Sequence, residues 1–212
     1  MKNFILQNEN AIYFECKFSC DNVIFLNLND EKYFITDARY VTEAKEYAKN
    51  CQVIESSNLL ETTKEILKKN KIKKLIFDPN DFTYATYIKL SEHLKTQFIE
   101  KANFSKLKRI IKSDKEIILL KKAAMAGREG FKELAKFIRK NGFNQNEQFL
   151  YFKAFEKMSQ SGKLDISFEP IVAINENAAK PHALPTTPTL KLNDLILVDP
   201  GLNYKRYCSD RT

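Results

Sequence analysis

The sequence predicts an α/β fold, and three observations carry that prediction. In roughly the first hundred residues, short runs rich in β-branched and aromatic residues alternate with helical patterns, an order typical of layered α/β domains. Two longer helical patterns follow between residues 113 and 162. After them the chain is again β-like, with polar side chains beside apolar runs.

The elements of the first half are predicted from hydrophobic period and turn signals. Residues 22–29 and 32–37 are strand-like runs separated by a polar pair, which predicts a hairpin. The next predicted elements are a helix at 41–50, a strand at 51–56, a helix at 58–70, a strand at 73–79 and a helix at 82–96. Residues 102–112 show neither the hydrophobic period of a helix nor that of a strand, so we expect a domain boundary there.

The second half begins with a helix signal. Ser113 and Glu116 have the spacing of a capping box, and the helix should run to Lys140, where Asn141 and Gly142 stop it. The remaining predicted elements are a helix at 146–162, a strand at 167–174, an irregular connection at 175–194 and a strand at 195–201.

Composition limits the function classes. Lys and Arg number 35 against 27 Asp and Glu, a net charge of +8. The lysines are spread over helical stretches such as residues 64–74, so we interpret them as solvated helix faces and expect no nucleic-acid partner; nucleic-acid binding is the alternative. No apolar run approaches bilayer length and residues 1–7 lack the features of a secretory signal, so we expect a cytoplasmic protein with no membrane partner.

The cysteines give no sign of a structural framework. Cys16, Cys20, Cys51 and Cys208 are too few and too unevenly spaced for a set of disulfides, and no second pair completes a zinc site around the first two. The sequence predicts four reduced thiols, most of them buried.

Two aspartates near the end of the sequence suggest a metal site. If residues 195–199 and 206–212 form a hairpin about residues 200–205, Asp199 lies directly opposite Asp210, with Cβ atoms about 4.5–5.5 Å apart. Two carboxylates that close repel each other, and a divalent cation would compensate them. In the alternative interpretation, Asp199 only caps the turn and Asp210 is solvent exposed.

His182 precedes these aspartates in a proline-rich connection. Near a metal pair, an imidazole can donate a hydrogen bond to a polarised carbonyl. The alternative is a histidine that is hydrogen-bonded within its loop.

Several stretches resemble a known family. Residues 168–212, from FEPIVAI to YCSDRT, are similar to the first half of the catalytic domain of Xaa-Pro aminopeptidases and proline dipeptidases, the pita-bread metallopeptidases. That family's pattern has a strand leading to IVA, a histidine after proline, then GDLVLxDxG and GYCSDxTRT. In the front half, NAIYFECKFS, YFITDARYVTEA and LKRIIKSDKEIILLKKAA resemble its amino-terminal domain and inter-domain junction.

The resemblance implies an amino-terminal creatinase-like (ribonuclease H-like) α/β domain over residues 1–108. The first half of a pita-bread α+β catalytic domain, an incomplete metallopeptidase domain, follows over residues 109–212. It implies a dinuclear metallo-hydrolase that cleaves Xaa-Pro bonds with two divalent ions, Mn, Co or Zn. In such enzymes the residue matching Asp199 chelates one metal ion and the residue matching Asp210 bridges both. The residue matching His182 contacts the substrate at the scissile bond, which makes it the catalytic and substrate-binding candidate. The implied partner is a peptide with proline at its second position. Because an incomplete domain leaves an apolar face or a sheet edge exposed, we also expect a homodimer.

The sequence departs from the family pattern in two ways. Asn193 stands before Asp194, and Arg206 before Tyr207, where glycine is usual. The family also completes its metal ligands with one histidine and two glutamates after this motif, whereas the sequence stops at Thr212. We therefore expect the front part of a longer enzyme, inactive alone and binding metal weakly or not at all.

Two other functions stay open: a non-catalytic, peptidase-like protein-binding module, and a creatinase-like amidinohydrolase. Paired carboxylates with His182 favour an enzyme over a module, because a binding surface has no need of them. The sequence does not separate the peptidase from the amidinohydrolase.

Overall fold

The structure is a computed structural model and describes residues 3–212. The chain divides into two compact units, Met1–Ile111 and Lys112–Thr212. Among the described residues, no helix combines the length and the apolar character needed to cross a membrane.

The first unit is a mixed six-stranded sheet with helices. Its elements are β1 (Phe4–Leu6), α1 (Glu9–Cys16), β2 (Val23–Leu28), β3 (Glu31–Thr36), α2 (Val41–Tyr47), β4 (Gln52–Glu55), α3 (Leu59–Lys69), β5 (Lys74–Phe77), α4 (Tyr84–Ser91), β6 (Gln97–Glu100) and α5 (Phe104–Lys108). The strand order is β4-β3-β2-β1-β5-β6. The β2–β3 hairpin is confirmed, with Asn29 and Asp30 at φ 51° and 76° in its turn, residue types that adopt this left-handed conformation readily.

Both faces of this sheet are buried. In β1, Phe4 and Leu6 pack in the same core as residues of α1, whereas Ile5 packs in the opposite core with Leu67 of α3 and Leu90 of α4. Successive strand residues point to opposite faces. The first unit is therefore a three-layered α/β fold, in agreement with the predicted class.

Four elements of this unit are not predicted from the sequence: β1, α1, α5 and β6. Both strands and α5 are five residues or shorter, too short to display a period. The predicted helix at 82–96 ends early, at Ser91, and His93 has a left-handed φ of 60° that a continuing helix does not allow.

The second unit contains two long helices and small sheets. Its elements are α6 (Asp114–Asn141), α7 (Glu147–Met158), β7 (Asp165–Ile166), β8 (Ile171–Ile174), a 3₁₀ helix (Asn175–Ala179), β9 (Ile196–Asp199), β10 (Leu202–Tyr204) and β11 (Tyr207–Cys208). One sheet has the order β11-β10-β7 and another pairs β8 with β9. The core between α6, α7 and the β8–β9 pair includes Leu134, Leu150 and Val172.

The helix limits in this unit follow local signals. The predicted capping box is confirmed at the start of α6, where the Ser113 backbone N donates to Glu116 Oε2 at 2.9 Å. Gly142 caps the end of α6, also as predicted. The second helix stops at Met158 instead of Gly162, because Gln160 begins a run of three residues with positive φ.

Candidate metal centre

Asp199 lies at the end of β9 with one buried carboxylate oxygen. Ile196 and Val198 of this strand pack against the core, so Leu197 and Asp199, at the alternate positions, point to the other face. Asp199 Oδ1 is buried and has no hydrogen-bond partner among the described residues. A buried carboxylate oxygen without a partner is costly, and a bound cation would remove that cost.

The predicted pairing of Asp199 with Asp210 is wrong. Asp199 lies opposite Ile171, because β9 pairs with β8. The hairpin of the motif is instead formed by β10 and β11, with Asn203 opposite Cys208. Its register is shifted by two residues from the predicted one.

The reason for the shift is the position of the turn. Lys205 and Arg206 have φ values of 51° and 68° and form a two-residue turn, whose twist matches that of the two strands. The Asn203 side chain accepts a hydrogen bond from the Arg206 backbone N at 2.8 Å and supports this turn. Pro200 and Gly201, which resemble a turn in sequence, lie before β10.

Asp210 is held between two backbone anchors. The Ser209 N–H donates to Leu202 O at 2.8 Å, and the Arg211 N–H donates to Pro200 O at 3.2 Å. This register sets Gly201 opposite Asp210, two residues beyond Asp199. In a regular antiparallel pair, residues at these two positions are diagonal neighbours on one face, with Cα atoms about 7–8 Å apart.

Further contacts fix the backbone around Asp210. Arg211 lies over the Phe131 ring at 5.0 Å from its centroid. The Ser167 hydroxyl donates to Ser209 O at 3.0 Å. Gly201 leaves no room for a side chain, since a Cβ there would lie 2.6 Å from Ser209 O. The Asp210 side chain itself is exposed.

His182 lies exposed in the connection between the 3₁₀ helix and β9. Glu147, which is fully buried at the start of α7, is one of the side chains that tie this connection to the core. Glu147 accepts hydrogen bonds from Ile174 N (2.6 Å), Asn177 Nδ2 (2.8 Å), Thr186 N (2.6 Å) and Thr186 Oγ1 (2.5 Å). Residues on both sides of His182 are therefore bound to the same carboxylate.

Glu147 is ionised despite its burial. Burial raises the pKa of Glu147, but the hydrogen bonds from Thr186 and Ile174 outweigh it and hold the pKa below the ordinary glutamate value. No sequence pattern singles out Glu147, because an acidic residue in the first turn of a helix is usually solvent exposed. Its only sequence signal is its position just after the N-cap, Asn146.

We call the hydrogen bonds of Glu147 the Glu147 clamp. A second set of hydrogen bonds holds the two ends of the connection, at Asn175 and Asp194, together. Asn175 Nδ2 donates to Asp194 Oδ1 at 2.8 Å, and Asn175 Oδ1 accepts from Leu195 N at 2.9 Å. The hydrogen bond from Asn175 lowers the pKa of Asp194. This second set fixes where β9 begins.

The two residues that stand where the family pattern has glycine both have a left-handed backbone conformation. Asn193 has φ 71° and Arg206 has φ 68°. Asparagine tolerates this conformation, whereas for arginine it costs roughly 1–2 kcal/mol. The glycines of the family pattern match the conformation of the backbone here.

We expect Arg206→Gly to raise the free energy of unfolding of the second unit by about 0.5–1 kcal/mol, because relief of strain exceeds the added entropy of the unfolded chain. Urea denaturation measures this. Arg206→Ala is the matched control, since it removes the same side chain and keeps the strain. Equal effects of the two substitutions would contradict the strain argument.

The donor set among the described residues is partial. These residues hold no group of three or more His, Cys, Asp or Glu side chains close enough to bind one metal ion. The orphaned Asp199 oxygen fits a cation, and carboxylates suit Mn²⁺, Co²⁺ and Zn²⁺. Asp199 and Asp210 can therefore supply part of a coordination shell.

Two family models match the chain in succession. Residues 1–117 match the creatinase/prolidase N-terminal domain, and residues 118–212 match metallopeptidase family M24. The chain is 33% identical over 189 residues to the uncharacterized peptidase YqhT of Bacillus subtilis, a match that covers 86% of this chain and 52% of that protein.

Solved structures give the same result. The Xaa-Pro dipeptidase from Bacillus anthracis superimposes with a TM-score of 0.88 at 28% identity and covers 99% of this chain and 58% of its own. The X-Pro aminopeptidase from Thermotoga maritima has the same fold, with a TM-score of 0.86 at 22% identity, over 99% of this chain and 61% of its own. The chain thus spans little more than half of these relatives. It belongs to the creatinase/prolidase family, as an N-terminal creatinase/prolidase domain followed by part of an M24 metallopeptidase domain.

Proposed function

We propose that this chain forms the first part of a metal-dependent peptidase that hydrolyses Xaa-Pro bonds, and that the 212 residues alone have no turnover. The observation that carries the proposal is the buried Asp199 oxygen without a hydrogen-bond partner among the described residues, beside a hairpin that holds Asp210. The substrate class is supported by the names of the relatives, an Xaa-Pro dipeptidase and an X-Pro aminopeptidase.

Each candidate residue has a role in this proposal. Asp199 and Asp210 would both supply carboxylate oxygens to divalent cations. When bound, ions such as Mn²⁺, Co²⁺ or Zn²⁺ polarise the scissile carbonyl and make water a better nucleophile. His182 donates a hydrogen bond to the substrate at the scissile bond, and the Glu147 clamp on its connection limits where the imidazole can lie.

The lack of turnover follows from the ligand set. Two carboxylates supply only part of the coordination of a metal pair, and affinity falls steeply as ligands are removed.

The second unit also exposes Leu184, Leu192 and Leu195. Contiguous exposed apolar patches favour association, and we propose that these leucines belong to a homodimer interface.

The test has two parts. Calorimetric titration of the 212-residue chain with Mn²⁺ and Zn²⁺ should give binding no tighter than about 100 µM, weakened a further tenfold or more by Asp199→Asn. Asp165→Asn, which changes an exposed carboxylate on β7 of the same unit, should leave the titration unchanged.

A chimera completes the test. Thr212 is joined to the remaining part of the Bacillus anthracis dipeptidase, and hydrolysis of an Xaa-Pro dipeptide is assayed with Mn²⁺. We expect turnover by the chimera that disappears with Asp210→Asn, and none by the 212-residue chain. Turnover by the 212-residue chain would contradict the proposal that it lacks part of the active site. A folded chimera that binds no metal would instead favour the non-catalytic module.

A further inference from the structure

Two cysteines of the first unit, 35 positions apart in sequence, meet in the structure. Cys16 ends α1, and Cys51 lies in the short irregular segment between α2 and β4. The backbone joins the two segments through a hydrogen bond from Lys49 N to Cys16 O at 2.7 Å. Cys51 packs against the core cluster that contains Cys16, and each of the two thiols shifts the pKa of the other.

The two thiols differ in access to solvent. Cys16 is 1% exposed and belongs to the core, whereas Cys51 is only partly buried and packs at the edge of that core. A reagent from solvent therefore reaches Cys51 first, because Cys16 is buried beneath the surface.

The surroundings of the pair favour a thiolate at Cys51. The neighbouring Cys16 thiol lowers the pKa of the Cys51 thiol, and the Lys32 ammonium acts in the same direction against the effect of burial. The interaction with Cys51, followed by burial, raises the pKa of Cys16. Lys32 is itself held at this place by Glu15, at 3.1 Å.

We propose that Cys16 and Cys51 are a site of reversible oxidation, at which a hydroperoxide converts the two thiols into a disulfide. The Cys51 thiolate attacks one oxygen of the peroxide, so that an S–O bond forms, the O–O bond breaks and Cys51 becomes a sulfenic acid. The other product is hydroxide, or the alkoxide of an organic hydroperoxide, which takes a proton from water. The Cys16 thiol then attacks the sulfenic sulfur; the S–S bond forms, the S–O bond breaks and water leaves with the Cys16 proton. A small dithiol reductant reverses the change by exchange.

Formation of the disulfide requires a local movement, because its S–S bond is only about 2.05 Å long. Cys51 precedes β4 and follows Asn50, which has a left-handed φ of 57°, so the movement falls on an irregular segment and not on the sheet. The closed bond would fasten the end of α1 to the start of β4.

The other two cysteines are the controls. Cys20 is buried and its Sγ contacts Thr36 Oγ1 at 3.5 Å. Cys208 is exposed on β11, in a unit with no other cysteine. Cys208 can be oxidised or can link two chains, but it has no intramolecular partner of this kind.

The test is oxidation of the folded 212-residue chain with hydrogen peroxide, followed by alkylation of free thiols, digestion without reductant and mass spectrometry. We expect a cross-linked peptide pair containing Cys16 and Cys51, which disappears after dithiothreitol and persists in Cys208→Ser. Because the link closes a loop of roughly 35 residues, the unfolding temperature of the oxidised first unit should rise by about 5 °C or more.

Two variants test the order of the steps. Cys51→Ser should abolish the cross-link and leave Cys16 unreacted, whereas Cys16→Ser should leave a sulfenic acid on Cys51 that dimedone traps. The proposal is overturned if peroxide oxidises Cys208 in the folded chain while Cys16 and Cys51 both remain open to alkylation after unfolding. It is equally overturned if the cross-link forms only in urea.

Discussion

Replacement of Glu147 by glutamine should lower the free energy of unfolding of the second unit by about 3 kcal/mol. Glu147 accepts four hydrogen bonds in a fully buried place. The glutamine amide is a donor on one side, so it faces Ile174 N–H or Thr186 N–H with no acceptor, and the remaining bonds lose their charge assistance. Chemical denaturation measures the loss.

Glu156→Gln is the matched control on the same helix. Glu156 is on the surface of α7 and pairs with Lys153 at 2.7 Å and Lys157 at 3.3 Å. Partly exposed ion pairs of this kind contribute little, and we expect a change below about 0.5 kcal/mol. If the Glu147 variant is as stable as the Glu156 variant, the hydrogen bonds of Glu147 do not stabilise the second unit as proposed.

The effect of Glu147→Gln should also depend on pH. The folded-state pKa of Glu147 is lowered from 4.5, so its contribution is fully present above that value and is lost as the pH falls through the folded pKa. The difference in stability between wild type and variant should therefore be constant near neutral pH and shrink in acid. Stability curves at several pH values test the sign.

Gly201→Ala should destabilise the second unit by about 3–4 kcal/mol, by overpacking and not by backbone strain. The added methyl group would overlap Ser167 Oγ and Phe168 Cε1 and would lie 2.6 Å from Ser209 O. Two of these obstacles belong to side chains, but the carbonyl belongs to the strand that leads to Asp210. The strand must move, so the chimera carrying Gly201→Ala should also bind metal more weakly.

The double variant Gly201→Ala with Ser167→Ala separates the effect of the Ser167 hydroxyl from that of the Ser209 carbonyl. Removal of the Ser167 hydroxyl relieves one overlap but leaves the carbonyl in place, so we expect partial recovery of stability and no recovery of metal affinity. Full recovery of both in thermal melts and titrations would show that the carbonyl contact is unimportant.

Local signals explain what the sequence predicted well. The capping box at Ser113 and Glu116, and the hairpin formed by β2 and β3, depend on residues close together in the chain, and both are found in the structure. The α5 helix is missed because five residues cannot show a helical period.

The candidate site was harder to predict because its geometry depends on distant pairing. The turn at Lys205 and Arg206 contains no glycine or asparagine. The sequence therefore predicts a wider turn over residues 200–205, and the predicted register is wrong by two residues. The roles of Asp199, Asp210 and His182 stay predictions. The position of Glu147 just after an N-cap does not reveal its hydrogen bonds, because its partners come from another part of the chain.

The Glu147 clamp also has a consequence for the order of folding. Its partners Ile174, Asn177 and Thr186 are 27, 30 and 39 residues away in sequence, and long-range contacts form slowly because a long loop must first close. The carboxylate cannot collect these donors until α7 has formed and β8 has docked on it. We therefore expect the connection that carries His182 to acquire its structure late in folding, after the framework of helices around it.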